Sequence, residues 1–275
     1  MEVFLCPQFL YWLFLVMILQ SPTDLLYPPK RIISLVPSQT ELLYDLGLEA
    51  ETVGITKFCV HPQGWFKTKD RIGGTKTVSI KKIHQLKPDL IIANKEENVK
   101  AQIEALAFDH PVWLTDVNNL QDALKMIADI GQLTGKNEEA ISLIDEISKA
   151  FDTLIPNKQP VKTAYLIWRK PYMAAGGDTF INDMLLRCGF QNVFAAKTRY
   201  PEISIADLQT TNCKLLLLSS EPYPFKQKHI DELSSQLPDT KIVLADGEYF
   251  SWYGSRLLKA PAYFHKLIKT KAETN

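Results

Sequence analysis

The sequence predicts two Rossmann-like α/β lobes with parallel sheets, joined by a single long α-helix. Three observations predict it. Short apolar, β-branched runs alternate with amphipathic helical stretches in the first part of the chain. Between residues 119 and 156 the alternation stops and only helical periodicity remains. It then resumes to the end. Buried apolar strands separated by helices require a parallel sheet covered on both faces. The expected divisions are an N-terminal apolar segment at 1–27, an α/β lobe at 28–118, a helical pair with the connecting helix at 119–156, and a second α/β lobe at 157–275.

In the first lobe, Arg31 to Val36 (RIISLV) reads as a buried strand. Glu41 to Leu48 reads as a helix, with Ser38 as N-cap, Glu41 closing a capping box and Gly47 ending it. Thr52 to Ile55 is the next strand. Val78 to Leu86 is a short helix that Ser79 can cap, Leu90 to Ala93 a strand, Asn98 to Ala107 a helix, and Pro111 to Leu114 a strand. Leu120 to Leu133 then carries a helical apolar stripe. Asn137 to Ile155 follows as a helix about 28 Å long, enough to span both lobes. The second lobe reads as strand Lys162 to Trp168, helix Asp178 to Cys188, strand Leu215 to Ser219, helix His229 to Leu237, strand Ile242 to Ala245 and a terminal helix Ser255 to Ile268.

Composition excludes several classes. Lys+Arg and Asp+Glu number 31 each, so no net field recruits nucleic acid. Neither G-x-G-x-x-G nor G-x-x-x-x-G-K-[ST] occurs, which removes the usual phosphate cradles. Four cysteines without a C-x-x-C read as free thiols. Cys59 and His61 are weak metal-ligand candidates that lack a spaced third ligand. Ser38 has no G-x-S-x-G around it, and we read no catalytic residue anywhere. The run Phe9 to Leu19 is 11 residues long, which suits a signal core and falls short of a membrane span. No basic residue precedes it and no small-x-small site follows, so the reading divides between a signal or anchor, a non-native start and a segment packed on the fold.

In sheets of this kind, ligands bind outside the carboxyl ends of the strands. The segments that follow those ends are unusually aromatic: Phe58 and Trp65 in the first lobe, Trp168, Tyr172, Tyr223, Tyr249, Trp252 and Tyr253 in the second. Such a rim suits a planar or bulky organic ligand. Lys57, Lys95, Arg169, Lys170, Arg199 and Arg256 lie in or near the same loops. Convergent, they favour an anionic ferric siderophore; turned to solvent, they leave the aromatic wall to a corrinoid.

The stretches RIISLVPSQTELLYDLGL (31–48), IHQLKPDLIIANKEEN (83–98), YLIWRKPYMAAGGDTFINDMLLRCGFQNVF (165–194) and GEYFSWYGSRLLKAPAYF (247–264) carry a resemblance. Over roughly residues 28–268 the chain resembles the helical-backbone (class III) periplasmic binding proteins of ABC importers for vitamin B12, ferric siderophores and haem, most of all the cobalamin-binding branch. The resemblance implies a monomeric substrate-binding protein that takes a metal chelate in the cleft between its lobes. It implies no cofactor of its own and an extracytoplasmic location. By motif it implies a ligand site of Pro37, Ser38, Phe58, Gly74 and Thr75 in the first lobe. In the second lobe it implies Trp168, Arg169, Tyr200, Tyr249, Trp252 and Tyr253. The family docks on its permease through one exposed glutamate per lobe; this sequence has Lys81 and Ala206 at those positions. A soluble cytoplasmic relative that binds or senses the same ligands is the alternative reading.

Overall fold

The computed structural model describes residues 17–272. The segment before residue 17, which holds most of the apolar run, lies outside the described residues. The chain divides into two compact units, one comprising residues up to Asp116 with Asp129–Asn137, the other Val117–Ala128 with residues from Glu138 onward.

The first unit is built on a five-stranded parallel sheet. Its strands are β1 (Ile32–Ser34), β2 (Thr52–Ile55), β3 (Asp70–Arg71), β4 (Leu90–Asn94) and β5 (Val112–Thr115), in the order β3-β2-β1-β4-β5. Four helices accompany it: α1 (Pro37–Asp45), α2 (Gln63–Thr68), α3 (Ile80–Leu86) and α4 (Lys100–Ala107). Ile33, Leu35, Ile72, Ile83, Ile91, Ile103 and Leu106 form one fully or nearly fully buried cluster between sheet and helices. Each such side chain contributes about 1.5–3 kcal/mol by leaving water. Met17 to Leu19 run beside β5, where Val112 N–H donates to Met17 O at 2.8 Å and Leu19 N–H to Val112 O at 2.9 Å. Ile18 packs on the same core.

The second unit holds a six-stranded mixed sheet of β6 (Val161–Trp168), β7 (Tyr172–Ala174), β8 (Phe190–Asn192), β9 (Glu202–Ile203), β10 (Leu215–Ser219) and β11 (Lys241–Ala245). The order is β11-β10-β6-β7-β9, with β8 paired to the start of β6. β6, β8, β10 and β11 pair in parallel; β7 and β9 pair antiparallel. The expected parallel pairing holds throughout the first unit and for β6, β8, β10 and β11 of the second, where β7 and β9 add antiparallel pairs at one edge. A helix, α7 (Phe180–Arg187), starts on Thr179, whose side chain accepts from Asn182 N–H. After α8 (Ile205–Thr210) and α9 (Gln227–Ser234), the chain closes with α10 (Glu248–Ser251) and α11 (Ala260–Ala272).

The two central helices are α5 (Leu120–Thr134) and α6 (Asn137–Asp152). Helix α5 changes unit between Ala128 and Asp129. Helix α6 starts at Asn137 in the first unit and continues in the second from Glu138 onward. The Ser38 cap is corrected. Helix α1 begins at Pro37, with Val36 as its N-cap and no capping side chain. Proline at the first helical position has the right φ already and lacks only an N–H that would be unpaired there. Ser38 is thereby drawn inside the first turn. Gly47 does end the helix, at φ +74°.

Candidate functional site

The order β3-β2-β1-β4-β5 makes β1 the strand at which the winding reverses, and the loops after β1, β2 and β4 share one edge of the sheet. A lattice of buried amides and hydroxyls shapes that edge. Gln39 Nε2 donates to Thr115 Oγ1 at 2.7 Å, and Asn94 Nδ2 to the same oxygen at 3.1 Å. Asn98 Nδ2 donates to Thr75 O at 3.1 Å, which fixes the Gly74-Thr75 loop over β4. Pro37 and Ser38 lie beneath, both buried, and the Ser38 hydroxyl has no hydrogen-bond partner. Phe58, in contrast, is 51% exposed. It sits in a turn closed by Cys59 N–H donating to Thr56 O at 3.2 Å and by Phe58 N–H donating to Thr56 Oγ1 at 3.2 Å. Gly74 backs the ring: a Cβ there would stand 3.2 Å from Phe58 Cε2 and 3.3 Å from Lys57 Cε.

In the second unit, Trp168 ends β6 and is 39% exposed, with its ring edge-on to Tyr223 at 5.7 Å. Tyr200 is half-buried. Arg169 spends its guanidinium inside the protein, where Nη2 donates to both Glu232 carboxylate oxygens at 2.7 and 2.6 Å. Tyr249 stacks on Tyr263 with centroids 4.6 Å apart. Trp252 and Tyr253 are buried, at 6% and 5% exposure. The agent that holds Trp252 is Glu221, a residue the sequence reading did not single out. Its Oε1 accepts from Trp252 Nε1 and from Ser251 Oγ, each at 2.8 Å. Burial, with Glu248 and Asp246 nearby, raises the Glu221 carboxyl above the ordinary carboxylate range, against the lowering effect of its two donors. Arg256 pairs with Glu248 at 2.5 Å and lies over the Trp252 ring at 4.7 Å. The signal that would have found Glu221 is a carboxylate directly after an all-apolar strand, LLLLSSE, in a loop that already holds aromatic residues.

Of the rim cations, Lys95 pairs with Asp116 at 2.8 Å, and Arg169 and Arg256 are paired as described. Lys57 Nζ stands 5.1 Å from the centroid of the Phe58 ring. Cys59 is buried, and its thiol accepts from Thr40 Oγ1 at 3.0 Å. Burial pushes that thiol up to about 11, so it stays protonated at neutral pH and is poorly disposed to ligate or attack. Among the described residues no three His, Cys, Asp or Glu side chains converge on a metal position, and no helix is long and apolar enough to cross a membrane.

Residues 32–238 match the family model described as periplasmic binding protein. The vitamin B12-binding protein of Yersinia pestis (strain Pestoides F) is 24% identical over 239 residues, covering 84% of this chain and 83% of that one. Two solved structures are similar in fold. The periplasmic heme-binding protein RhuT from Roseiflexus sp. RS-1 has a TM-score of 0.72 at 23% identity, over 87% of this chain and 99% of that one. An ABC transporter substrate-binding protein from Listeria monocytogenes EGD-e has a TM-score of 0.71 at 18% identity, over 88% and 98%.

Proposed function

Because this chain belongs to the periplasmic binding protein family, we propose that it is the substrate-binding component of an ABC-type importer and carries a metal chelate, a corrinoid or an iron complex, outside the cytoplasm. The observation that carries this reading is the pair of exposed aromatic rings at strand carboxyl ends, Phe58 in one unit and Trp168 in the other. Large rings left in water cost free energy that a flat ligand recovers, at little cost in side-chain entropy. The similar proteins bind vitamin B12 and heme, each a metal held in a macrocycle. No catalytic role is proposed: the buried thiol, the capped carboxylates and the paired arginine are all engaged within the fold.

The docking chemistry differs from that of the glutamate-bearing importer proteins. Lys81 is exposed on α3, and Ala206 is exposed on α8. Asp207 beside it is turned back on its own helix, where Oδ2 accepts from Ser204 N–H at 2.7 Å and Ser204 Oγ at 2.8 Å. A permease for this protein would present an acceptor to Lys81. A cytoplasmic sensing protein of the same fold is the second reading, and the match to the periplasmic binding protein family favours the first.

The test is calorimetric titration of the purified chain with cobalamin and with iron protoporphyrin IX. Replacing Trp168→Ala together with Tyr200→Ala weakens binding of the preferred chelate at least tenfold, about 1.4 kcal/mol or more. Unchanged affinity in the double variant removes the rim from the binding site.

A further inference from the structure

We propose that Lys57 is a specificity-determining residue that selects a planar chelate bearing carboxylate side arms, over one whose arms are neutral amides. This rests on the carrier reading above and names the ligand class for the first unit's part of the site.

Lys57 differs from three of the other rim cations. Lys95, Arg169 and Arg256 each have a carboxylate within ion-pair distance, whereas among the described residues none is within that distance of Lys57. Its exposed ammonium is placed by the backbone, not by an anion: Lys57 N–H donates to Gly73 O at 2.8 Å, and the turn from Thr56 to Cys59 is closed by three hydrogen bonds. The side chain then crosses Gly74 beside Phe58, with Nζ 5.1 Å from the ring centroid. An exposed ammonium against an aromatic ring is held weakly. It is therefore free to turn to an anion, and the exposed Phe58 face marks where a flat ligand would lie.

A second feature of the same edge has the same sign. Helix α1 starts one strand away, and Thr40 Oγ1 donating to Cys59 Sγ at 3.0 Å ties its first turns to the Lys57 turn. Its N-terminus carries no capping side chain, and the buried Ser38 hydroxyl there is unpartnered. Uncapped helix N-termini favour negative charge. Of the acidic residues near this edge, Asp116 is paired with Lys95, and Glu97 lies close enough to Cys59 to raise its thiol, but among the described residues no carboxylate is within ion-pair distance of Lys57. An aromatic plate, a lysine without a partner carboxylate and an uncapped helix start together suit a macrocycle with acidic arms. Amide arms would leave the ammonium without a counter-charge.

The experiment compares iron protoporphyrin IX, its dimethyl ester and cobalamin by absorbance titration against the full chain and the variants Lys57→Gln and Phe58→Ala. The expected result is that the diacid binds at least tenfold more tightly than the diester at low salt. Lys57→Gln brings the diacid close to the diester, and Phe58→Ala weakens both. The gap between diacid and diester narrows in 0.5 M salt, on the order expected from a Debye length shortened to about 4 Å. Equal affinity for diacid and diester, or a diacid affinity unmoved by Lys57→Gln, overturns the role of Lys57 and leaves the carrier reading standing. Cobalamin binding tighter than the diacid overturns the ligand class in the same way. Failure of all three chelates to bind overturns the reading as a carrier of a metal in a macrocycle.

Discussion

The strand-end rims of the two units are made of similar residues and used differently. In the first unit, the aromatic ring and its neighbouring lysine are left exposed, and the polar side chains beneath them are buried amides and hydroxyls bonded to one another. In the second, three charged side chains are consumed internally: Arg169 by Glu232, Arg256 by Glu248, and Glu221 by Ser251 and Trp252. Internal pairing of this kind fixes the shape of a loop, since both partners lose their freedom on folding and none on binding. An unpaired charge does the reverse and keeps its interaction for the ligand. Under the proposed function, the first rim is where ligand charge would be read, and the second would serve as a preformed wall to which Trp168 contributes an exposed ring.

The sharpest way to break this comparison is the same substitution in both rims. Gly247→Ala places a Cβ 2.5 Å from Ser219 Oγ and 2.6 Å from Glu221 Cγ, both in packed surroundings. Relief requires the Glu221 carboxylate to leave its donors, and the expected cost is about 2–3 kcal/mol. In the first rim, Gly74→Ala meets Thr77 Oγ1 at 3.1 Å and the ends of Phe58 and Lys57 at 3.2 and 3.3 Å. Those side chains can yield, so the expected cost is below about 1 kcal/mol, with the loss appearing in ligand affinity instead. Denaturant midpoints together with chelate titration separate the two; equal destabilisation in both would end the contrast.

Removing the carboxylate is the next largest effect. Glu221→Ala leaves the Trp252 indole N–H buried without an acceptor, worth about 1–3 kcal/mol of stability. The conservative Glu221→Gln keeps an acceptor and isolates the charge. Because the folded-state carboxyl is raised above its ordinary value, the native protein holds that proton where the unfolded chain has released it. Stability from this group is thus present at low pH and is lost as pH rises from the ordinary glutamate range through the raised value. Glu221→Gln should remove that loss. A Gln variant with the same pH profile as the parent would show that the carboxylate is not desolvated.

Much of this architecture is legible in the sequence, and what is not has identifiable causes. β1, β2, β4, β5, β6, β10 and β11 stand out as short, mostly apolar runs bounded by turn residues. β3, β7, β8 and β9 are two or three residues long and partly polar, which leaves too few positions for a pattern. Phe58 follows β2 and Trp168 ends β6, and both rings are exposed. Trp252 and Tyr253 have the same local signature but are buried, and the acceptor that buries Trp252 lies 31 positions away. Arg169 likewise reads as a rim cation until its partner, 63 positions on, is known. Spacing along the chain reports which residues reach an edge; pairing across it decides which remain available.

The smallest expected effect sets the two units against each other in acid. In the first unit, His84 Nδ1 and His110 Nε2 are 2.9 Å apart, and His110 Nδ1 lies 3.1 Å from Pro88 O. A carbonyl only accepts, so Nδ1 of His110 carries the proton and its Nε2 accepts from His84. Protonating His110 would set two N–H groups face to face. Burial, more than the adjacent His84, holds the His110 ring below its ordinary value, with Pro88 O and Asp109 acting the other way. As pH falls below the ordinary histidine value of 6.5, the unfolded chain takes up a proton that the folded unit refuses, and stability is lost down to the depressed value. Glu221 works in the opposite direction in the second unit, where the raised carboxyl gains stability on acidification. His110→Asn cannot be protonated, so it should flatten the acid limb of the first unit's unfolding, followed by amide exchange of β4 and β5, while Glu221→Gln changes only exchange in β10 and β11. Acid sensitivity of β4 and β5 that persists in His110→Asn would place the responsible group elsewhere in that sheet.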